Sequence, residues 1–189
     1  MIKFINKIEI KRICVYCGSS TGKNPIYTMV ASQLGNAIAA AGLGLVYGGG
    51  SSGLMGTVAR AVINRGGYVT GIIPTSLVNV ENALYDINEY IEVSNFHERK
   101  MQMFKLSDAF IALPGGPGTL EEIAEQLAWS YLGIHEKPIF IVNTNGYWNP
   151  LIDLLKKTQT YFCHNRNNKA NYIIVKDPEE AINIFSSNN

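Results

Sequence analysis

The chain has 189 residues, 47% of them hydrophobic and 16% charged, which supplies ample core material and excludes intrinsic disorder. A net charge of +1 gives no global attraction to nucleic acid or to a membrane surface. No apolar run approaches the roughly 18–20 residues that span a bilayer.

The opening MIKFINKIEIKR is basic without an apolar h-region, so no secretory signal is read there and residues 1–10 are expected to form a loose extension. Ile13–Tyr16 reads as a strand, and Asn24-Pro25 starts a helix that Gly42 ends. Leu43–Tyr47 is a strand, Leu54–Asn64 a helix closed by Gly66-Gly67, and Val69–Ile73 a strand. After a loop come a short strand Tyr90–Val93, a helix Asn95–Ser107 and a strand Ala109–Leu113. A helix Thr119–Leu132, a strand Ile139–Val142, a helix Asn149–Thr160 and a strand Tyr172–Val175 follow. Asp177-Pro178-Glu179-Glu180 caps the closing helix. Near-continuous apolar strands alternating with helices specify a parallel sheet covered on both faces. The expectation is a single Rossmann-like, doubly wound α/β domain over residues 1–189.

Three cysteines, Cys14, Cys17 and Cys163, make no disulfide framework and suit the cytoplasm. Cys14 and Cys17 match C-x-x-C, but a strand turns positions i and i+3 to opposite faces, so both read as buried core thiols. His97, His135 and His164 are scattered, and no cluster has zinc spacing. Neither a metal nor a cofactor is expected.

Three strand ends carry glycine with hydroxyl residues: Gly18-Ser19-Ser20-Thr21-Gly22, Gly48-Gly49-Gly50-Ser51-Ser52-Gly53 and Pro114-Gly115-Gly116-Pro117-Gly118-Thr119. Each precedes a helix, whose free N–H groups and positive dipole end suit a phosphate. Glycines serve tight turns in general, but three such turns at strand ends favour a nucleotide site. From Ile10 to Val80 there is no Asp or Glu, and residues 1–80 carry +6 against −5 for the remainder. That distribution also suits an anionic ligand. Gly48-x-Gly50-x-x-Gly53 matches the dinucleotide fingerprint, yet no carboxylate follows until Glu81 and there is no P-loop. A mononucleotide phosphate fits better than NAD or ATP.

On the helix Asn95–Ser107, Phe96, Met103 and Phe104 mark an apolar arc with Arg99 and Lys100 on or beside it. Snorkelling accounts for either cation singly. Glu121 and Glu122 fall in the first turn of the helix after Thr119, where the helix dipole accounts for one of them. An Arg and a Glu flanking a phosphate turn suggest acid/base or electrostatic work on a bound nucleotide.

Pro114–Glu122 carries the pattern P-G-G-x-G-T-x-x-E. With His97–Lys100, Val46–Gly50, Gly53–Gly56 and Cys17–Ser20 it resembles the Lonely Guy family of cytokinin riboside 5′-monophosphate phosphoribohydrolases, over Arg12 to Val175. The resemblance implies hydrolysis of the N-glycosidic bond of N6-modified AMP to base and ribose 5-phosphate, by a homodimer or an assembly of dimers. It implies Arg99 and Glu122 as catalytic residues. Lys100 and the segment Gly116–Glu122, with Gly116, Gly118, Thr119 and Glu121, match nucleotide-binding positions, and Glu81 a substrate-contacting carboxylate; Gly115 is a further candidate substrate-binding residue. The Gly18-Ser19-Ser20 and Gly48-Gly49-Gly50 turns join them as candidate substrate-binding residues. Pro117 and Ala128 depart from the family pattern, the first in the turn and the second where plant members have a Thr near the ligand. Three readings compete with this one: a nucleotide or cofactor carrier of related fold, a general AMP nucleosidase, and a PLP-dependent lysine decarboxylase. The helix Thr119–Leu132 is the candidate interface, with Ile123, Leu127, Trp129, Tyr131 and Leu132 as its apolar surface.

Overall fold

The computed structural model describes residues 11–162 and 172–186. The expected extension over residues 1–10, Cys163 and His164 lie outside them. Among the described residues seven strands form one parallel sheet: β1 (Arg12–Tyr16), β2 (Gly44–Tyr47), β3 (Val69–Pro74), β4 (Glu89–Val93), β5 (Ala109–Ala112), β6 (Ile139–Val142) and β7 (Tyr172–Val175). Six helices connect and close it: α1 (Ile26–Ala40), α2 (Gly53–Ile63), α3 (Phe96–Lys105), α4 (Pro117–Tyr131), α5 (Asn149–Tyr161) and α6 (Pro178–Ser186). The strand order is β4-β3-β2-β1-β5-β6-β7. This is the Rossmann-like doubly wound architecture that the alternating pattern specifies.

Strand alternation builds two cores. Ile13, Val15, Leu45, Tyr47, Ile111 and Phe140 face α1, α2 and α6. Cys14, Tyr16, Val46, Phe110, Ile139 and Ile141 face α3, α4 and α5. Cys14 and Cys17 fall in different cores and are both free and buried, so the C-x-x-C spacing is an accident of strand geometry. Burial pushes both thiols well up from the ordinary cysteine value.

Helix ends follow the local chemistry. Asn24 Oδ1 accepts the Ile26 N–H at 3.1 Å, and Pro25 is already helical at φ −61°. At the other end the Gly42 and Leu43 N–H groups return to Ala39 and Ile38 carbonyls, closing α1 in a Schellman motif. The departure from the sequence reading that matters for the site is at α4, which begins at Pro117 rather than Thr119. Proline suits that first helical position, where its missing N–H costs nothing. Glu121 and Glu122 therefore sit beyond the first turn, which holds no acidic residue. The helix dipole no longer accounts for either of them.

Among the described residues no helix is long and apolar enough to cross a membrane.

Candidate active site

In this strand order the chain reverses direction at β1, with β2 to β4 on one side and β5 to β7 on the other. A crevice opens at such a switch point, beyond the carboxyl ends of β1 and β5. The turns after those two strands lie side by side: the Gly18 N–H donates to Pro114 O at 3.1 Å. Between them runs a cleft of about 250 Å³, lined by Gly18–Gly22, Pro114–Gly116, Tyr27, Leu54 and Tyr147.

The third turn is built as an anion nest. Its carbonyls are engaged: Pro114 O by Gly18 N–H, Gly115 O by the Tyr147 hydroxyl, and Gly116 O by Leu120 N–H. The N–H groups of Gly115, Gly116, Gly118 and Thr119 have no acceptor among the described residues. Gly116 caps α4 and Gly118 and Thr119 lie in its first turn, where the helix dipole is positive. Gly115 has to be glycine, because a Cβ there would land on Thr119 Oγ1 and within 2.6 Å of its Cβ. Across the cleft Ser19, Ser20 and Thr21 are exposed, and Thr21 Oγ1 donates to Gly22 O.

The second glycine turn does something different. The N–H groups of Leu54 and Met55, in the first turn of α2, point back to Gly18 O at 3.0 and 3.3 Å. They are not available to a ligand. Gly53 touches the Ser19 backbone so closely that a Cβ would overlap it. Gly48, Gly49 and Gly50 are outside the cleft lining, as are Arg99, Lys100, Gly118, Thr119, Glu121 and Glu122, which stand behind and beside it. The loop after β3 seals this turn, through Leu84 N–H to Gly49 O at 2.9 Å and a bridge between Gly50 and Ala83. One turn with free amides, one with exposed hydroxyl residues across the cleft, and one supporting turn stand where the sequence suggested three equivalent phosphate turns.

What the second turn supports is Arg99. This side chain is buried, with Nε donating to Ile72 O at 3.1 Å and Nη2 to Gly48 O at 2.8 Å. Nη2 also pairs with Glu81 at 3.2 Å. Arg99 is thus fixed across the carboxyl ends of β2 and β3, with Glu81 as counter-charge. Lys100 instead turns toward α4 and pairs with Glu121 and, at 2.9 Å, with Glu125. Burial pushes the Lys100 ammonium down, but its hydrogen bonds to the two carboxylates prevail and hold it above the ordinary lysine value.

Glu122 completes the charged cluster. It lies on α4 one turn after Thr119, half-buried, with no hydrogen-bond partner among the described residues. Burial raises its pKa from 4.5 to about 7, against the pull of the Arg99 charge and with help from Glu121 and Glu81. A carboxyl group tuned near neutrality, beside an anion nest and a fixed guanidinium, is the arrangement expected of acid/base or charge-stabilising work.

A family model described as "Possible lysine decarboxylase" matches residues 55–185. A cytokinin riboside 5′-monophosphate phosphoribohydrolase of Arabidopsis thaliana is 50% identical over 81% of this chain and 67% of its own length. The chain belongs to the family of these phosphoribohydrolases. A second Arabidopsis thaliana member is 50% identical over 80% of this chain and 70% of its own. A probable member from Oryza sativa subsp. japonica is 48% identical over 82% of this chain. The matched region spans only 64% of that rice relative. Among solved structures, a molybdenum cofactor binding protein from Rippkaea orientalis shares the fold with TM-score 0.71 and 25% identity, over 96% of this chain and 98% of its own. A Moco carrier protein from Chlamydomonas reinhardtii has TM-score 0.70 at 20% identity, over 95% of this chain and 97% of its own.

The sequence reading missed Tyr27, Tyr147 and Glu125. Glu125 is marked by its i, i+4 spacing from Glu121, which lets one lysine bridge both. Tyr27 lies in the first turn of α1, directly after the first glycine turn, whereas Tyr147 follows β6 and only the strand order brings it to the cleft.

Proposed function

We propose that the chain hydrolyses the N-glycosidic bond of an adenosine 5′-monophosphate, plain or N6-substituted, to the free base and ribose 5-phosphate. The carrying observation is the free amide nest and Glu122 on one helix, about one 5.4 Å turn apart. The 5′-phosphate seats on the Gly115, Gly116, Gly118 and Thr119 amides, opposite Ser19 and Ser20. The ribose then extends toward Glu122. Cleavage of the C–N bond builds positive charge on the sugar, which the Glu122 carboxylate stabilises while holding the water that adds to the anomeric carbon. The water's proton balance is closed by protonation of the departing base.

Arg99 stays protonated and is not a base. Tied to Gly48 O, Ile72 O and Glu81, it keeps the Glu122 carboxylate from being neutralised outright. Lys100, Glu121 and Glu125 form a charged rim beside the sugar.

A homodimer completes the reading. Ile123 and Leu127 belong to the core rather than to an interface, and Trp129 packs edge-on against Phe104 at 5.0 Å. The opposite side of α4 nevertheless carries Leu120, Ala124, Ala128 and Leu132, all exposed. Phe96, expected in the apolar arc of α3, is 51% exposed, and Met101 further along the same helix is exposed as well. These apolar groups suit burial against a second copy. Free buried thiols suit a cytoplasmic setting.

The likeness to molybdenum cofactor binding proteins favours one rival, a carrier that holds a phosphorylated ligand intact. Glu122 poised near neutrality speaks against a passive carrier. For lysine decarboxylation, the lysine at the site, Lys100, is tied to Glu121 and Glu125 and held above the ordinary lysine value, away from the neutral amine that a Schiff base needs. The test is incubation with AMP and isopentenyl-AMP, quantifying released base. Binding of either without release of base would replace the hydrolase by the carrier.

A further inference from the structure

Tyr147 has no role in the reading above, yet it touches the nest directly. It follows β6 in a tight 3₁₀ turn over Thr144–Gly146. That turn is held by an unusual amount of local bonding. Asn143 Oδ1 accepts the Trp148 N–H at 2.8 Å, Asn143 Nδ2 donates to Asn149 Oδ1 at 2.8 Å, and the Asn143 N–H donates to Val175 O at 2.9 Å. Asn145 accepts a left-handed backbone at φ 51° to complete it. The ring so presented stacks edge-on against Tyr27 at 5.7 Å and Trp148 at 4.9 Å. Its hydroxyl donates to Gly115 O.

The acceptor is the significant part. The peptide between Gly115 and Gly116 joins two residues without Cβ atoms, so a flip about ψ of Gly115 and φ of Gly116 meets less steric resistance than at any other pairing of residues. In a planar trans peptide the carbonyl and the following N–H point to opposite edges. A flip would replace the Gly116 N–H by the Gly115 carbonyl, exchanging a donor for a partial negative charge in an anion site. We propose that Tyr147 is a positioning residue for the phosphate: its hydroxyl latches the Gly115–Gly116 peptide in the orientation that presents amides to the anion and keeps the Gly115 carbonyl occupied. The other two carbonyls of the turn are held by backbone N–H groups. The Gly115 carbonyl alone depends on a side chain from a distant element.

This inference rests on the phosphate seat assigned above, and the experiment separates the two. AMP and adenosine affinities are measured by calorimetry for the full chain and for Tyr147→Phe, which retains the ring and its packing on Tyr27 and Trp148. The unaltered chain binds AMP more tightly than adenosine. In Tyr147→Phe the AMP affinity falls about tenfold, equivalent to about 1.4 kcal/mol, while adenosine affinity and the ligand-free melting temperature stay unchanged. Base release from AMP then shows a raised KM with kcat largely kept, because latch loss weakens the seat and leaves Glu122 in place. If the unaltered chain does not prefer AMP, the phosphate seat itself is wrong. If it does prefer AMP and the variant keeps the same preference, the latch is refuted. An equal loss for AMP and adenosine also refutes it, since that is the signature of a packing role.

Discussion

Replacing Glu122 by Gln should make the protein more stable and almost inactive, and the gain in stability should depend on pH. The substitution keeps the shape of the side chain and removes only its charge. The Glu122 side chain makes no hydrogen bond among the described residues, so none is lost. The rise of its pKa from 4.5 to about 7 measures what ionised Glu122 costs the fold. At 1.36 kcal/mol per unit this is roughly 3 kcal/mol, reduced to about 2 kcal/mol because the side chain is partly exposed to solvent. Below pH 4.5 the carboxyl is protonated in both folded and unfolded chains, and the cost vanishes. Between 4.5 and about 7 only the unfolded chain releases the proton, so native stability falls with rising pH, and above that window the penalty is complete. Glutamine never incurs it. Melting temperatures of the two proteins should therefore coincide near pH 4.5 and diverge by about 4–8 °C at pH 8 in favour of Glu122→Gln. Over the same series base release from AMP should fall by roughly 10²-fold or more. In the unaltered chain kcat/KM should rise with pH to a plateau above about 7, as the carboxylate forms. A difference in melting temperature that is flat across pH would refute the burial argument. Near-normal turnover in the variant would remove Glu122 from the mechanism.

Three further outcomes are expected. Adenosine and isopentenyladenosine should be cleaved far more slowly than their 5′-monophosphates, in kcat as well as KM, because phosphate binding orients the reacting centre; comparable kcat/KM for nucleoside and nucleotide would contradict the nest. Gly115→Ala should lower kcat/KM for AMP at least tenfold, since the new Cβ collides with Thr119 and displaces the amides, and unchanged kinetics would show that the turn does not seat the phosphate. Light scattering at micromolar concentration should return about twice the 20.8 kDa chain mass, and replacing exposed Leu120 and Leu132 by Glu should dissociate the dimer and reduce activity, whereas a fully active monomer would exclude a shared active site.

Much of this protein is legible in one dimension because its determinants are local. A buried parallel strand has to be an apolar run, and a helix that returns to the sheet has to be amphipathic. The seven strands and six helices accordingly appear in the sequence with ends displaced by only a few residues. The P-G-G-x-G-T-x-x-E segment is local as well: the nest amides and Glu122 are placed by one helix start, and their spacing is preserved wherever that helix goes. The one error there, the start at Pro117, arose because proline reads equally well as the end of a turn and as a first helical residue.

What the chain could not disclose by itself is which strand lies next to which. The order β4-β3-β2-β1-β5-β6-β7 depends on long-range packing that no window of residues contains. It places the first and third glycine turns together at the switch point and diverts the second into a socket for Arg99. It brings Glu81 from the loop after β3 to the Arg99 guanidinium, and Tyr27 and Tyr147 from opposite parts of the chain to one cleft. The pKa of Glu122 belongs to the same class, since burial by neighbours remote in sequence is its main cause. Local chemistry determined which groups could act, and the order of the strands determined which of them meet.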